Sequence, residues 1–162
     1  MSLSRQQAWD VLAAIPDPEI PAISITDLGI VRDVACHGEQ VDVTVTPTYS
    51  GCPATEMIQE DIVRALREAG ARDVAVHLQL SPAWTTDWLS DDAKARLAAY
   101  GIAPPQTLAP DAARPLRFRP RIRCPRCGST NSEQLSAFGA TACKALYRCG
   151  DCREPFEYFK PI

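Results

Sequence analysis

Hydrophobic residues near the start of the chain repeat with the period of an α-helix. Ser4 and Gln7 match a capping box, and Pro16 cannot continue a helix. Between them the apolar side chains fall at i, i+3, i+4 and i+7, namely Ala8, Val11, Leu12 and Ile15. We therefore predict a first helix that follows Ser4, ends before Pro16 and buries one face.

Three later stretches alternate between apolar and polar residues, which is the pattern of a half-buried strand. Residues 31–36 and 40–46 are separated by a His-Gly-Glu turn, so we expect them to form a β-hairpin. Residues 73–81 form the third predicted strand. Its apolar residues share one face that we expect to be buried: Val74, Val76, Leu78 and Leu80.

Helical spacing returns twice after the hairpin. The first stretch runs from Pro53 to Gly70, which places Cys52 at the predicted N-cap. The second runs from Ser90 to Gly101. The order helix, strand, strand, helix, strand is typical of an α+β fold, so we predict a small three-stranded sheet packed with helices.

Proline-rich sequence separates this α+β domain from a short C-terminal segment. Five prolines lie between residues 104 and 120, a density typical of a semi-rigid, extended linker. We assign residues 1–105 to the α+β domain, 106–120 to the linker and 121–162 to a second module. A module of about 40 residues gains too little from apolar burial to fold alone, so it needs a covalent or metal staple.

The two parts of the chain differ in charge. Residues 1–105 contain 7 Lys or Arg against 15 Asp or Glu, a net charge of −8, whereas residues 106–162 contain 10 against 5, a net charge of +5. No apolar run approaches the roughly 18 residues that span a membrane, and the first residues lack the apolar core of a signal peptide. We therefore expect a cytoplasmic protein with no membrane partner.

Four of the seven cysteines form two C-x-x-C pairs, which are separated by 21 residues: Cys124, Cys127, Cys149 and Cys152. This spacing predicts a tetrahedral four-thiolate site and a β-rich zinc ribbon, in which zinc holds the fold together. Iron, as a single ion or a cluster, is the alternative metal. Cys143 lies between the pairs and is either a small buried side chain or an accessory thiol near the metal.

The α+β domain offers a different kind of chemistry. At a helix N-terminus, the free backbone N–H groups and the helix dipole favour the thiolate form of Cys52, which suits a nucleophile or a soft-metal ligand. A buried capping residue is the plainer interpretation. Asp17 and Glu19 flank Pro18 and present two carboxylates from a rigid turn, although such a pair also occurs in ordinary capping loops. Cys36, at a strand end, is expected only to pack.

Three short motifs occur in a characteristic order: Asp-Pro-Glu-Ile-Pro at 17–21, Asp-Leu-Gly at 27–29 and Thr-Pro-Thr-Tyr-Ser-Gly-Cys-Pro at 46–53. Together they resemble the small cytosolic iron-sulfur assembly domain family that includes bacterial SufT, over roughly residues 5–105. With Pro-Ala-Trp at 82–84, the segment 138–145 and the C-terminal ribbon, the whole chain resembles the PaaD family of the bacterial phenylacetyl-CoA epoxidase system.

The resemblance implies an accessory protein that assembles, inserts or repairs metal centres in a multicomponent oxygenase, rather than an enzyme. It implies that five residues handle iron or clusters, or contact the client: Asp17, Glu19, Thr46, Thr48 and Cys52. The implied cofactors are a structural zinc and a transient iron or iron-sulfur cluster. The implied partners are oxygenase or reductase subunits of the epoxidase and the iron-sulfur assembly machinery, and a homodimer is left open.

The sequence itself also lacks the features of other functional classes. A di-iron carboxylate site would need paired Glu-x-x-His motifs, a nucleotide enzyme would need a Gly-rich phosphate loop, and neither pattern occurs. A thiol enzyme built on Cys52 would need a neighbouring base, and none is visible in the sequence.

The alternative is a zinc-ribbon adaptor that binds nucleic acid or protein without transferring metal. Five aromatic residues could form its base-stacking platform: Phe138, Tyr147, Phe156, Tyr158 and Phe159. The same residues could instead be the core of the ribbon. The net charge of −8 on the first domain would repel phosphate, so we do not expect nucleic acid as a partner.

Overall fold

The computed structural model describes residues 2–106 and 121–162 of the chain. The chain divides into two compact units, Met1–Ala93 and Lys94–Ile162. The elements are α1 (Arg5–Ala13), β1 (Val31–His37), β2 (Gln40–Val45), α2 (Ala54–Glu68), β3 (Asp73–Leu78), a short 3-10 helix (Thr86–Trp88), α3 (Asp91–Tyr100), β4 (Ile102–Ala103), β5 (Ser132–Ser136), β6 (Lys144–Cys149) and β7 (Pro155–Phe159). Among the described residues, no helix has the length and apolar character needed to cross a membrane.

Helix α1 begins as the sequence predicts. Gln7 donates its backbone N–H to the Ser4 hydroxyl over 3.2 Å, and the Gln7 side chain accepts from the Ser4 N–H over 2.9 Å. This capping box satisfies two of the N–H groups that a helix start leaves without partners. Ala8 and Leu12 are fully buried, so the predicted apolar face is the packed face.

The first unit contains a three-stranded sheet in the order β1-β2-β3, which confirms the predicted α+β fold. Strands β1 and β2 form the expected antiparallel hairpin, whereas β2 and β3 are parallel. Parallel neighbours need a long crossover, and α2 supplies it. The central strand is the most buried, since Val41, Val43 and Val45 are all shielded from solvent.

The predicted burial of β3 is wrong for its C-terminal half. Val74 and Val76 are half-buried, but Leu78 is 51% exposed and Leu80, just after the strand, is 65% exposed. An alternating pattern indicates which face a side chain shares, because Cβ atoms alternate along a strand. It does not indicate whether another element covers that face, and β3 lies at an edge of the sheet.

Two tryptophans secure the long loop before β1. The Trp84 indole N–H donates to the carbonyl oxygen of Leu28 over 2.8 Å, and Trp84 is buried. Gly29 has φ of +72°, and a Cβ there would lie 3.1 Å from the Cβ of Trp88. The guanidinium of Arg32 lies 3.7 Å from the centre of the Trp88 ring. Both tryptophans therefore act as packing anchors for this loop.

The second unit contains a four-stranded sheet in the order β4-β7-β6-β5. Strands β5, β6 and β7 form an antiparallel meander, and β4 pairs in parallel with β7. Residues 102 and 103, which fall within the first domain predicted from the sequence, thus contribute a strand to this sheet. The predicted linker lies outside the described residues except for Gln106, and the domain bounds drawn from the sequence stay predictions.

A buried ion pair joins β6 to β7. Lys144 is 3% exposed, and its ammonium donates to Glu157 over 2.7 Å. The other carboxylate oxygen of Glu157 accepts the backbone N–H of Ala140 over 2.8 Å, which fixes the loop between β5 and β6. Burial raises the pKa of Glu157, but Lys144 and the Ala140 N–H outweigh it and hold the pKa below its usual value.

We expect Lys144→Met to lower the free energy of unfolding by about 2–3 kcal/mol, because it leaves a partly buried carboxylate without its cation. Arg148→Met is the matched control, since Arg148 lies on the same strand and its pair with Glu133 is exposed. That change should cost less than about 1 kcal/mol. Denaturant unfolding of both variants measures the difference, and equal effects would contradict the structural importance of the buried pair.

Candidate functional site

Four cysteine side chains converge in the second unit. Cys124 and Cys127 lie in the turn that precedes β5, while Cys149 ends β6 and Cys152 lies in the turn before β7. Their sulfur atoms all lie within 4.8 Å of one another, with Cys124 and Cys152 at 3.7 Å and Cys127 and Cys149 at 3.5 Å. A tetrahedron of sulfurs about 2.3 Å from zinc has edges of about 3.8 Å, so the four residues fit such an ion.

Backbone hydrogen bonds shape both halves of this metal site. Gly128 N–H donates to the Cys124 carbonyl oxygen over 2.9 Å, and the φ of +76° at Gly128 suits glycine. In the other half, the Cys149 N–H donates to the Glu154 carbonyl oxygen over 3.0 Å. These backbone hydrogen bonds therefore help to hold each C-x-x-C turn.

Side chains outside the sulfur shell link its two halves. The Asp151 carboxylate accepts from the Asn131 amide over 2.8 Å and also from the Ser129 hydroxyl. These two donors, the Ser129 hydroxyl first, hold the pKa of Asp151 below its usual value. Asn131 also accepts the Gly150 N–H on its carbonyl oxygen over 2.7 Å. Such contacts orient the ligands, as outer-shell groups do in other metal sites.

The thiols differ in their proton affinity when no metal is bound. Backbone N–H groups, led by that of Cys152, lower the pKa of Cys149 to about 7. The Glu154 N–H acts to lower the pKa of Cys152, but burial and the three neighbouring cysteines together raise it to about 12. One negative charge is thus stabilised at Cys149, and further thiolates need a cation between them. With four protein ligands the shell has no open position, which is the arrangement of a structural site.

Cys143 is not part of this four-sulfur group. Its side chain is buried, and its sulfur lies 3.0 Å from the Thr141 hydroxyl oxygen. Among the described residues, the sulfur atoms that all lie within 4.8 Å of one another belong to Cys124, Cys127, Cys149 and Cys152. These contacts favour the interpretation of Cys143 as a buried side chain.

Most of the aromatic residues of the ribbon belong to its core. Tyr147, Phe156, Tyr158 and Phe159 are buried, and Tyr147 packs against Phe156 and Tyr158 with ring centres 5.9 and 5.7 Å apart. Phe138 alone of the five is exposed, at 64%. Four of the five rings are therefore not available as a base-stacking platform.

Cys52 lies in the loop that leads into α2 in the first unit. The predicted N-cap position is wrong by one residue, because Pro53 is the N-cap and no side chain caps the helix. Proline has no N–H and a fixed φ, so it can occupy this end of a helix. Cys52 still touches the helix start, since its carbonyl oxygen accepts the Thr55 N–H over 3.1 Å.

The Cys52 side chain is half-buried and lines an open groove of about 630 Å³. We call this the Cys52 groove, and its apolar lining residues are Pro47, Pro53, Leu78 and Leu80. Sequence reasoning found Cys52 but missed the two leucines, because their alternation indicated burial. The groove therefore combines a reachable thiol with exposed apolar side chains.

The Asp17 carboxylate accepts hydrogen bonds from its own loop. It is buried, and one oxygen accepts the backbone N–H groups of Glu19 and Ile20 over 2.9 and 2.8 Å. Glu19 is half-buried in the same loop. This geometry matches the capping interpretation of Asp17. From the sequence we also expect Asp17 and Glu19 to lie close to Cys52 in space, and this stays a prediction.

Thr46 directly follows β2 and is 1% exposed. Its backbone N–H donates to the Ile30 carbonyl oxygen over 2.8 Å, but its hydroxyl oxygen has no hydrogen-bond partner among the described residues. A buried hydroxyl without a partner costs about 1–3 kcal/mol, so it is an unusual feature of the Thr-Pro-Thr motif. Thr48, two residues later, is half-buried.

Two protein families match parts of the chain. Residues 5–78 match the family described as iron-sulfur cluster assembly protein, and residues 109–160 match the family described as PaaD zinc beta ribbon domain. The chain is 54% identical over 156 residues to the D component of the 1,2-phenylacetyl-CoA epoxidase of Escherichia coli (strain K12), covering 96% of this chain and 92% of that one.

Shorter relatives match the first unit. The Fe-S protein maturation auxiliary factor YitW of Bacillus subtilis (strain 168) is 32% identical, over 57% of this chain and 92% of its own length. A crystal structure of a DUF59 domain of unknown function from Bacillus anthracis aligns with a TM-score of 0.53 and 29% identity, over 57% of this chain and 90% of that one.

We predict that the four-cysteine site holds one zinc ion and that Cys149→Ser abolishes its binding. Residues 121–162 should then unfold while the first unit keeps its structure, because a segment this small gains most of its folding free energy from metal. Metal analysis together with amide NMR spectra tests this, with Cys143→Ser as the control that should keep about one zinc. Stoichiometric iron and acid-labile sulfide on these four cysteines would contradict the prediction.

Zinc affinity should fall as the pH falls, because zinc binds thiolates and protons compete for them. Each thiol that is protonated in the metal-free protein releases one proton on binding, so the affinity should drop at least about tenfold per pH unit. Cys152, with its raised pKa, is one such thiol. Competition with a chelator at pH 8 and pH 7 measures the change, and a pH-independent affinity would show that the thiols are not the ligands.

Proposed function

Since the chain belongs to the PaaD family, in which an iron-sulfur assembly domain precedes a zinc ribbon, we propose that it assists the assembly of metal centres in a phenylacetyl-CoA epoxidase. In this proposal it is an accessory factor of aerobic phenylacetate breakdown and catalyses no step of the epoxidation. The oxygenase or reductase subunits of the epoxidase are its clients, and the iron-sulfur assembly machinery is its supplier.

The observation that carries the proposal is the position of Cys52. The four ribbon cysteines form a closed set that suits a structural ion, so in this proposal they are not available to cargo. Cys143 is buried. Cys52 is half-buried and lines an open groove, where a cluster or an iron ion could reach its sulfur. A thiolate is a suitable ligand for such soft cargo.

The other motif residues fit supporting roles in this proposal. Asp17 holds its loop in one conformation through the Glu19 and Ile20 N–H groups, which leaves Glu19 presented from a rigid turn. Thr46 is buried, and its backbone N–H bond to the Ile30 carbonyl oxygen fixes the start of the loop that leads to Cys52. In our proposal Cys52 holds the cargo, and these residues shape the loops around it.

The test is co-expression of the epoxidase subunits with the wild-type protein or with Cys52→Ser. We expect the variant to lower the iron-sulfur content of the reductase, or the iron content of the oxygenase, at least about tenfold because the proposed cargo ligand is lost. Cys36→Ser is the matched control, since Cys36 is also half-buried in the first unit but does not line the groove.

Protein levels and amide NMR spectra of both variants establish that each is folded, because serine is close to cysteine in size. Normal metal loading and normal epoxidase activity with Cys52→Ser would overturn the proposed role of Cys52. Equal losses with Cys36→Ser would also overturn it, since they would reflect general damage to the first unit.

A further inference from the structure

The outer side of β3 is an unprotected sheet edge. In the order β1-β2-β3, strand β3 pairs only with β2 in this sheet. The Gln79 N–H donates inward to the Val45 carbonyl oxygen, so the alternating amides of Val74, Val76 and Leu78 point outward. No described residue hydrogen-bonds to these outward N–H groups.

The opposite edge of the same sheet is guarded. Strand β1 has a register irregularity between Val31 and Asp33 and carries an ion pair in which Arg5 contacts Asp33 at 2.7 Å. Bulges and charges are the usual devices that stop an edge from pairing with another chain. Strand β3 has no proline, no lysine and no irregularity in its pairing with β2. Within the described part of the first unit, this edge is therefore free to pair with an added strand.

The two faces beside this edge differ in chemistry. Val76 lines one groove, of about 620 Å³, and Leu78 and Leu80 line the Cys52 groove. On the other face, Asp73 is exposed, and Asp42 of β2 lies there with a contact to His77 at 3.1 Å. An added strand would place one set of alternate side chains beside Val76, Leu78 and Leu80, and the other set on the face that carries Asp73 and Asp42.

The net charge of the first unit indicates whether the β3 edge binds another protein or a second copy of the chain. The first unit contains five Lys or Arg against 15 Asp or Glu, a net charge of −10. Pairing two β3 edges would bring two such units together, which electrostatic repulsion opposes. A positively charged segment is attracted to the same surface.

We propose that the β3 edge binds an extended segment of a client protein in which apolar and basic residues alternate. The segment adds a fourth strand to the sheet beside β3, with its apolar residues over Val76, Leu78 and Leu80. Main-chain hydrogen bonds supply affinity, and the two faces supply specificity. The inference deepens the proposed function, because the bound segment runs along the wall of the Cys52 groove.

The probe is the blocked peptide Lys-Val-Lys-Val-Lys-Val, added to the full-length, metal-loaded protein. We expect it to slow hydrogen exchange at the amides of Val74, Val76 and Leu78 at least about tenfold. The already bonded amides of Ala75 and His77 should change little. The matching Glu-Val peptide and a Lys-Val peptide with N-methyl groups on every residue should give no protection, because the first has the wrong charge and the methyl groups of the second keep its backbone from approaching β3.

Three variants locate the contact. Leu80→Asp should weaken the peptide at least about fivefold through lost apolar contact, while Leu135→Asp should not, although Leu135 is 50% exposed on β5. Asp73→Lys should weaken the Lys-Val peptide and allow the Glu-Val peptide to bind. All three changes are at exposed positions, and NMR spectra of the free variants verify their fold.

Each of three other results would overturn the inference. The first is absence of protection by the Lys-Val peptide, and the second is equal protection by the Glu-Val peptide. The third is protection of the β3 amides that rises with protein concentration without any peptide, which would mean that a second copy occupies the edge. The assay contains no epoxidase protein and no metal cargo, so its failure leaves the Cys52→Ser result to judge the proposed function separately.

Discussion

Four sulfur atoms that all lie within 4.8 Å of one another cannot all carry negative charge unless a cation lies between them. The second unit is built around this constraint. Two turns with backbone hydrogen bonds supply the C-x-x-C pairs, and Asn131, Asp151 and Ser129 join the turns outside the sulfur shell. Buried aromatic rings of the small four-stranded sheet form one core cluster together with Cys124 and Cys149. The metal thus does for this unit what a larger apolar core does elsewhere.

The same constraint implies different roles for the two units. A closed thiolate shell has no place for cargo, so a metal-handling role has to use the chemistry of the first unit. There the features of interest are exceptions to good packing. Cys52 is reachable, Leu78 and Leu80 are exposed, and the Thr46 hydroxyl is buried without a described partner. Such departures from a well-packed, fully hydrogen-bonded structure are where function is expected in an otherwise consistent fold.

Charge and strand order together shape how the first unit can meet other proteins. Among the described residues of the first unit, the β1 edge of the sheet carries a register irregularity and an ion pair, whereas β3 pairs only with β2. Acidic side chains greatly outnumber basic ones in this unit. An open edge offers main-chain donors and acceptors to any extended segment. The acidic surface restricts which segments approach, because it attracts basic sequences and repels other acidic ones.

Local patterns in the sequence determined the elements and the metal ligands. The capping box at Ser4 and Gln7, the β1–β2 hairpin and the four ribbon cysteines follow from interactions between residues near in sequence, or from fixed ligand spacing. The family motif at residues 46–53, which contains Cys52, was also recognisable in the sequence. These features depend on the types and spacing of residues close together in the chain, so the sequence alone is enough to predict them.

Only the tertiary structure decided what each element touches. The alternation in β3 predicted a buried face for Leu78 and Leu80, but β3 lies at the sheet edge and the two leucines are exposed. Ile102 and Ala103 read as the end of the first domain, yet they pair with β7 in the ribbon sheet. The buried ion pair between Lys144 and Glu157 was likewise visible only in the tertiary structure. Periodicity specifies the direction of a side chain, whereas burial and pairing depend on which distant segment arrives beside it.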